Sequence, residues 1–94
     1  MMQKEGNEHM YEVILPKSVQ KELDKISDIY YSRIADKIIE MENNPRLIGC
    51  LKLSDSDEYR IRVGSYRILY EIDDKQKTVS IYKIEHRKEV YKKK

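Results

Sequence analysis

One stretch, from Tyr59 to Tyr70, constrains the fold of this chain more than any other. It reads YRIRVGSYRILY, and its apolar or aromatic residues alternate with polar ones on both sides of Gly64-Ser65. Alternation with a period of two is typical of a β-strand with one buried face. Two such runs joined by two residues, the first a glycine, predict a β-hairpin with a type II′ turn, because Gly adopts a positive φ there without steric cost.

The turn also fixes the register of the hairpin. Arg62 is expected opposite Arg67, with Arg60 two residues away on the same face. Guanidinium groups opposed across strands repel, so folding alone gains nothing from this arrangement. Arginine is suited to bidentate contact with phosphate, which makes a phosphate-binding surface one interpretation. The other is an ordinary solvated face of a sheet, and the hairpin alone leaves both open.

The length and the charge distribution limit the possible functions. Ninety-four residues predict one domain with a single core. Residues 1–58 carry 8 basic and 12 acidic side chains, whereas residues 59–94 carry 11 basic and 5 acidic ones. The basic half therefore begins at the hairpin. This segregation indicates an anionic partner for that half and leaves a separate protein partner possible for the other.

Several classes of protein are disfavoured by what the sequence lacks. Cys50 has no second cysteine to pair with, and His9 and His86 stand apart from other metal-ligating residues. No apolar run approaches the roughly 20 residues that span a bilayer, and the N-terminus has no apolar signal core. We therefore expect a cytoplasmic protein with no metal, no cofactor and no contact with a membrane.

The remaining patterns predict an α+β domain over residues 11–94, preceded by a flexible tail over residues 1–10. Residues 11–15 alternate as an edge strand that Pro16 ends. Apolar residues at helical spacing then predict two helices, the second over about residues 29–43. The two helices are expected to form a hairpin packed on the sheet.

Finer detail follows from individual residues. Ser18 is placed to cap the first helix. A short strand is expected at residues 51–53 and a longer one at residues 78–84. The alternation of the longer strand is less regular, which is typical of a central or bulged strand.

Two segments, YRIRVGSYRILYEID and KIEHRKEVYKK, together with the elements before them, resemble the RelE/ParE superfamily of toxin–antitoxin toxins. The resemblance covers about residues 11–92. It implies a microbial-ribonuclease-like α+β fold, in which an antiparallel β-sheet packs against two N-terminal helices. For the RelE-like branch it also implies cleavage of mRNA in the ribosomal A site. The expected partners are then the ribosome, mRNA and a cognate RelB-like antitoxin.

The resemblance also points to catalytic residues. Arg60 and Arg62 match the paired basic positions of the strand before the turn, and Arg67 matches the arginine after it. Arg87 and Tyr91 match the arginine and tyrosine of the C-terminal segment. The best-known RelE has lysines where Arg60 and Arg62 stand. Because a guanidinium hardly releases its proton, this difference leaves the general base unassigned.

RNA cleavage by its own 2′-hydroxyl needs a proton acceptor, stabilisation of the phosphorane charge and a proton donor. We expect Arg67 and Arg87 to stabilise the phosphorane, and Arg60 and Arg62 to contact the substrate backbone. His86 has a side chain whose ordinary pKa suits proton transfer near neutrality. It is a candidate for the missing acid or base, the alternative being a solvent-facing residue that ends the strand.

Three further residues have both a functional and a structural interpretation. Tyr91 is expected to stack on a base or orient a proton carrier, or else to pack against the sheet edge. Lys52 and Lys88 are candidate RNA-binding residues that contact phosphates, or else ordinary surface lysines.

The sequence thus predicts a ribosome-dependent, metal-independent mRNA endoribonuclease. Two alternatives stay open, a ParE-like toxin that poisons DNA gyrase without cutting RNA and an inactive RelE homologue.

Overall fold

A computed structural model describes residues 10–86, which form two helices on one face of a five-stranded sheet. The sheet has the strand order β1-β5-β4-β3-β2. The elements are β1 (Glu12–Ile14), α1 (Lys17–Asp24), α2 (Asp28–Met41), β2 (Leu51–Lys52), β3 (Glu58–Val63), β4 (Tyr66–Asp73) and β5 (Thr78–His86). Within the described residues, neither helix is long and apolar enough to cross a membrane.

The predicted α+β architecture is confirmed, with one difference in the sheet. Strands β2, β3, β4 and β5 pair antiparallel, but β1 pairs with β5 in parallel, so the sheet is mixed. Both helices, β2 and the β3–β4 hairpin separate β1 from β5 along the chain. Because no tight turn joins these two strands, their relative direction is not fixed locally.

The β3–β4 hairpin has the predicted register. Arg62 pairs with Arg67, and Val63 pairs with Tyr66 next to the turn. Gly64 has a φ of +62°, whereas Ser65 has no positive φ. This combination distinguishes a type II′ turn from a type I′ turn, in which both central residues need a positive φ.

The core fills the space between the helices and the sheet. Each fully buried aliphatic or aromatic side chain here removes enough apolar surface from water to contribute about 1.5–3 kcal/mol. The buried apolar residues are Val19, Leu23, Ile34, Met41, Leu47, Tyr59, Ile61, Val63, Ile68, Tyr70, Ile72, Val79, Ile81 and Ile84. Since β3, β4 and β5 bury alternate residues, their other residues project from the uncovered face of the sheet.

Helix α1 begins earlier than predicted. Its N-cap is Pro16, not Ser18, and no side chain caps the helix. The carbonyl oxygen of Pro16 accepts hydrogen bonds from the backbone N–H groups of Val19 and Gln20 at 3.0 and 2.9 Å. The prediction of a Ser18 cap is therefore wrong.

The irregular pattern of β5 corresponds to a β-bulge. Tyr70 pairs with Ile81, but its neighbour Leu69 pairs with Lys83, so Tyr82 is an extra residue in β5. Strand β5 also continues to His86, two residues beyond its predicted end. Both features determine which residues of β5 project beside the arginines of the hairpin.

Candidate active site

Three of the predicted arginines share the uncovered face of the sheet, which we call the arginine face and define by Arg60, Arg62 and Arg67. Arg62 is exposed, and Arg60 and Arg67 are half-buried. Arg62 and Arg67 are directly paired across β3 and β4, and Arg60 lies two pairs further along, opposite Leu69. The predicted concentration of guanidinium groups on one face is therefore present.

One of these arginines has an intramolecular partner. Arg67 Nη2 donates a hydrogen bond of 2.7 Å to Glu85 Oε1, and each side chain is only 22% exposed. The Nε atom of Arg67 is buried and has no hydrogen-bond partner. Because the pair is shielded from water, it holds the guanidinium in place more firmly than an exposed ion pair would.

Sequence reasoning missed Glu85 because it ended β5 at Ile84. The residue belongs to a row across three strands, in which Arg62 pairs with Arg67 and Arg67 pairs with Glu85. The signal lay in the sequence KIEH, where Lys83 and Glu85 alternate with the buried Ile84. Continuing the alternation by two residues would have included Glu85 in the strand, although its place beside Arg67 also depends on the register between β4 and β5.

The charge of this face changes sign along the strands. Near the hairpin turn it carries the three arginines and Lys83, which pairs with Leu69. At the other end Glu58 pairs with Glu71. A cleft of about 470 Å³ adjoins this acidic end, and its lining residues are Asp57, Glu71, Ile72, Asp73, Asp74, Lys75, Thr78 and Ser80. A polyanion is therefore attracted to the turn end of the sheet and repelled from the acidic end.

The Tyr82 hydroxyl group lies at this acidic end. It donates a hydrogen bond of 3.0 Å to Glu58 Oε1. Partial burial, and then this hydrogen bond, raise the pKa of Tyr82 above its ordinary value. Tyr82 is therefore neutral at physiological pH and adds no charge of its own to this end.

A second cleft extends the arginine face around the edge of the sheet. Its volume is about 380 Å³, and it lies where β2 is too short to cover β3. Helix α2 contributes Lys37, so cations from two elements converge there. The lining residues are Lys37, Ile48, Gly49, Leu51, Arg60, Ile61 and Arg62.

His86 lies on the other side of the sheet. It pairs with Tyr66, whose side chain points toward the helices, and their ring centroids are 4.7 Å apart in an edge-to-face arrangement. Tyr66 in turn lies 5.5 Å from the ring of Tyr30 at the start of α2. The structure therefore groups His86 with aromatic residues and separates its side chain from the arginine face.

The remaining predicted site residues are dispersed or lie outside the described part of the chain. Lys52 is exposed and pairs with Tyr59, which places it on the helix side of the edge strand. Arg87, Lys88 and Tyr91 lie outside the described residues 10–86.

One arginine outside the predicted site has a structural role. Arg46 donates two hydrogen bonds to the carboxylate of Asp74, at 3.2 and 2.8 Å, and one to the Tyr59 hydroxyl group at 3.2 Å. Tyr11 donates a further hydrogen bond of 2.7 Å to Asp74. These bonds, with that from Arg46 first, lower the pKa of Asp74 to about 2. Arg46 therefore ties the loop before β2 to the β4–β5 turn.

Between residues 10 and 86, no three His, Cys, Asp or Glu side chains are grouped so that they could hold a metal ion. The chemistry available on the arginine face is that of fixed cations next to a single carboxylate. Such a surface can bind a phosphodiester and stabilise additional negative charge on it.

These features define a class of protein, the RelE/ParE superfamily of type II toxins. The family model described as "ParE toxin of type II toxin-antitoxin system, parDE" matches residues 13–91. The chain belongs to this family, as the sequence resemblance predicted. It is thus a toxin of a type II toxin–antitoxin system.

Individual relatives agree with this assignment. The toxin RelG of Mycobacterium tuberculosis is 33% identical over 54 residues, which cover 56% of this chain and 62% of RelG. The match thus spans less than two thirds of that relative. A chain in the crystal structure of the archaeal RelE-RelB complex from Pyrococcus horikoshii is 32% identical, with a TM-score of 0.75, over 83% of this chain and 96% of that one. The isolated RelE toxin of E. coli is 26% identical, with a TM-score of 0.71, over 86% of this chain and 90% of that one.

Proposed function

We propose that this toxin is a metal-independent endoribonuclease that cleaves mRNA on the ribosome, in the cytoplasm, and so inhibits translation. The observation that carries the proposal is the placement of Arg60, Arg62 and Arg67 together on an uncovered face. The cleft at the sheet edge supports it, because Lys37 adds a cation where the arginines of β3 meet the helices. The likeness to RelE structures supports it further.

The proposed roles follow from position and charge. Arg67 stabilises the phosphorane, because its side chain is the most firmly held of the three. Arg60 and Arg62 bind the RNA backbone. Arg87 and Tyr91 complete the site from the C-terminal segment, with Arg87 at the phosphate and Tyr91 stacked on a base.

His86, Lys52 and Lys88 have weaker claims on the site. His86 would have to transfer a proton around the sheet edge, because its ring packs against Tyr66 on the helix side. Its proposed role as acid or base therefore has less support than the roles of the arginines. Lys52 and Lys88 are proposed as auxiliary phosphate contacts.

The sparse machinery supports the need for a ribosome. A surface that supplies mainly fixed charge accelerates cleavage only when the substrate already has the geometry for in-line attack. A ribosome that holds mRNA in one conformation provides this geometry. We further propose that a RelB-like antitoxin neutralises the toxin, because the P. horikoshii relative was crystallised in a RelE-RelB complex.

Primer extension on mRNA from cells that briefly express the toxin tests the nuclease. We expect cuts with a constant phase relative to codons, and none in cells that express Arg67→Ala. Purified toxin that has been treated with EDTA and then dialysed should reproduce the cuts when it is added to ribosomes programmed with a defined mRNA. Absence of cuts in both settings would refute the proposal.

A second candidate function is supported by a specific observation. The matching family model is that of the ParE toxin, and Glu85 neutralises one of the three arginines. A ParE-like toxin that poisons DNA gyrase needs a binding surface but no nuclease site. Inhibition of gyrase supercoiling by purified toxin, without cuts in mRNA, would establish this function instead. An inactive homologue would show neither effect.

A further inference from the structure

The proposed nuclease lacks an evident proton acceptor. The 2′-hydroxyl must lose its proton as its oxygen attacks the phosphate. Guanidinium and ammonium groups have no lone pair to accept that proton. Arg60 and Arg62 therefore cannot act as the base, the exposed Lys83 lacks the burial that lets a lysine act as a base in active sites, and His86 lies on the other side of the sheet.

A carboxylate occupies the position that the reaction requires. Glu85 pairs with Arg67 across β4 and β5, in the same row as Arg62. Its Oε1 atom accepts the hydrogen bond from Arg67 Nη2 at 2.7 Å. Its Oε2 atom accepts no hydrogen bond from the described residues, and the side chain is 22% exposed, so solvent reaches it. An oxygen is thus left to accept a proton beside the guanidinium that would hold the phosphate.

Other carboxylates on this face lie further from Arg67, the arginine proposed to hold the phosphate. Glu71 lies four residues from Arg67 along β4, which is about 13 Å at the rise of an extended strand. Glu58 is equally far from Arg62 along β3, and although it lies two residues from Arg60, it already accepts a hydrogen bond from Tyr82. Among residues 10–86, Glu85 is the one carboxylate that forms an ion pair with an arginine of the arginine face.

We propose that Glu85 is the general base of the ribonuclease, an inference that rests on the function proposed above. Glu85 takes the proton from the 2′-hydroxyl, and the 2′-oxygen forms a bond to phosphorus while the bond from phosphorus to the 5′-oxygen breaks. The leaving 5′-oxygen receives a proton from a water molecule. The products are a 2′,3′-cyclic phosphate and a 5′-hydroxyl, and Arg67 holds the phosphate during the step.

The alternative role for Glu85 is purely electrostatic. As a structural partner it would position Arg67 and weaken the attraction of RNA to the face. Removing its charge would then strengthen RNA binding and leave the cleavage step unchanged or faster. If Glu85 is the base, its removal would slow cleavage even though RNA binds as well or better. The two roles therefore predict opposite changes in the cleavage rate.

The test is single-turnover cleavage of a defined mRNA on purified ribosomes by Glu85→Gln. Glutamine keeps an oxygen that can accept the hydrogen bond from Arg67 but cannot take a proton. We expect the rate to fall by about 10²- to 10⁴-fold, and the pH profile of the rate to differ from that of the wild type. The same mRNA with a 2′-deoxy nucleotide at the cut site cannot be cleaved and serves as a competitor. It should bind to Glu85→Gln as tightly as to the wild type, or more tightly.

Glu71→Gln is the matched control, because it removes the same charge from the same face about 13 Å away. It should cleave at the wild-type rate. Glu85→Asp restores a carboxylate and should recover pH-dependent cleavage above the level of Glu85→Gln. Thermal denaturation verifies that all three variants are folded. If Glu85→Gln does not fold, the cleavage rate and pH profile of Glu85→Asp decide whether Glu85 is the base.

Retained cleavage by Glu85→Gln would overturn the proposal, as would a slower rate with an unchanged pH profile. If wild-type toxin itself does not cut mRNA, the proposed nuclease function fails first. That outcome is distinct from cleavage that survives in Glu85→Gln, which refutes only the role of Glu85.

Discussion

Tyr30 at the start of α2 packs so closely against Gly64 in the β3–β4 turn that a methyl group on Gly64 would overlap its ring. Gly64 also has a φ of +62°, which other residues adopt at a cost. The turn is therefore fixed both by backbone conformation and by contact with a helix. Because this turn sets the register of β3 and β4, the contact also determines how the arginines are aligned.

We expect Gly64→Ala to destabilise the fold. A left-handed φ costs a residue with a Cβ about 1–2 kcal/mol, and the overlap with Tyr30 adds to this cost. The matched control is Gly49→Ala, since Gly49 also has a positive φ, of +91°, but no atom within 4 Å of an added Cβ. Urea denaturation should show a larger loss in the free energy of unfolding for Gly64→Ala. Equal losses would mean that the contact with Tyr30 has no effect.

The ion pair between Arg67 and Glu85 predicts a cost of removing either partner. Arg67→Ala leaves a largely shielded carboxylate without its donor, so we expect the free energy of unfolding to fall by about 1–2 kcal/mol. The exposed Arg62 should tolerate the same change within about 0.5 kcal/mol. The double variant Arg67→Ala/Glu85→Ala should lose less than the sum of the single variants. Strict additivity would show that the pair contributes nothing to stability.

The Arg46–Asp74 contact predicts that the free energy of unfolding depends on pH in the acidic range. The pKa of Asp74 is lowered from 3.8 to about 2, so folding favours its charged form. Stability from this contact is complete above about pH 4 and is lost as the pH falls toward 2. Asp74→Asn should therefore flatten the decrease in the free energy of unfolding over this range, measured by urea denaturation. The exposed Asp55 serves as control, and Asp55→Asn should leave the wild-type pH dependence intact.

Binding of RNA to the arginine face predicts a dependence on salt. Each lost contact between a cation and a phosphate should reduce the slope of log K against log salt concentration by about 0.7 for single strands. We expect this for Arg60→Gln and Arg62→Gln, measured by fluorescence anisotropy with a labelled single-stranded RNA. Arg33 belongs to α2, on the helix side of the sheet, where it lies over the Tyr30 ring, so Arg33→Gln should not change the slope. A slope equally reduced in all three variants would contradict a localised site.

Local patterns predicted most of the fold. The hairpin register was derivable because a two-residue turn with Gly64 as its first residue fixes which residues of the two strands pair. Arg62 indeed faces Arg67. Both helices were predicted because their apolar residues recur at helical spacing. The parallel pairing of β1 with β5 was not derivable, since it joins segments more than 60 residues apart.

The candidate site was only partly predictable. The arginines were found because they belong to one hairpin, whose geometry is local. Glu85 was missed and His86 was expected to be a catalytic candidate, because assigning a face to either residue requires the register between β4 and β5. That register depends on an irregularity in the middle of the strand, which the sequence signalled but did not locate.

The extra residue in β5 has a chemical consequence. If the same residues of β5 were paired without the bulge, the pairing of Tyr70 with Ile81 would continue with Leu69 opposite Tyr82, and Ile84 would lie opposite Arg67. An inert hydrocarbon would then stand where a carboxylate now meets the guanidinium. The bulge thus determines whether an acid or an alkyl chain stands beside Arg67, and deleting Tyr82 would remove the bulge while leaving Glu85 opposite Arg67.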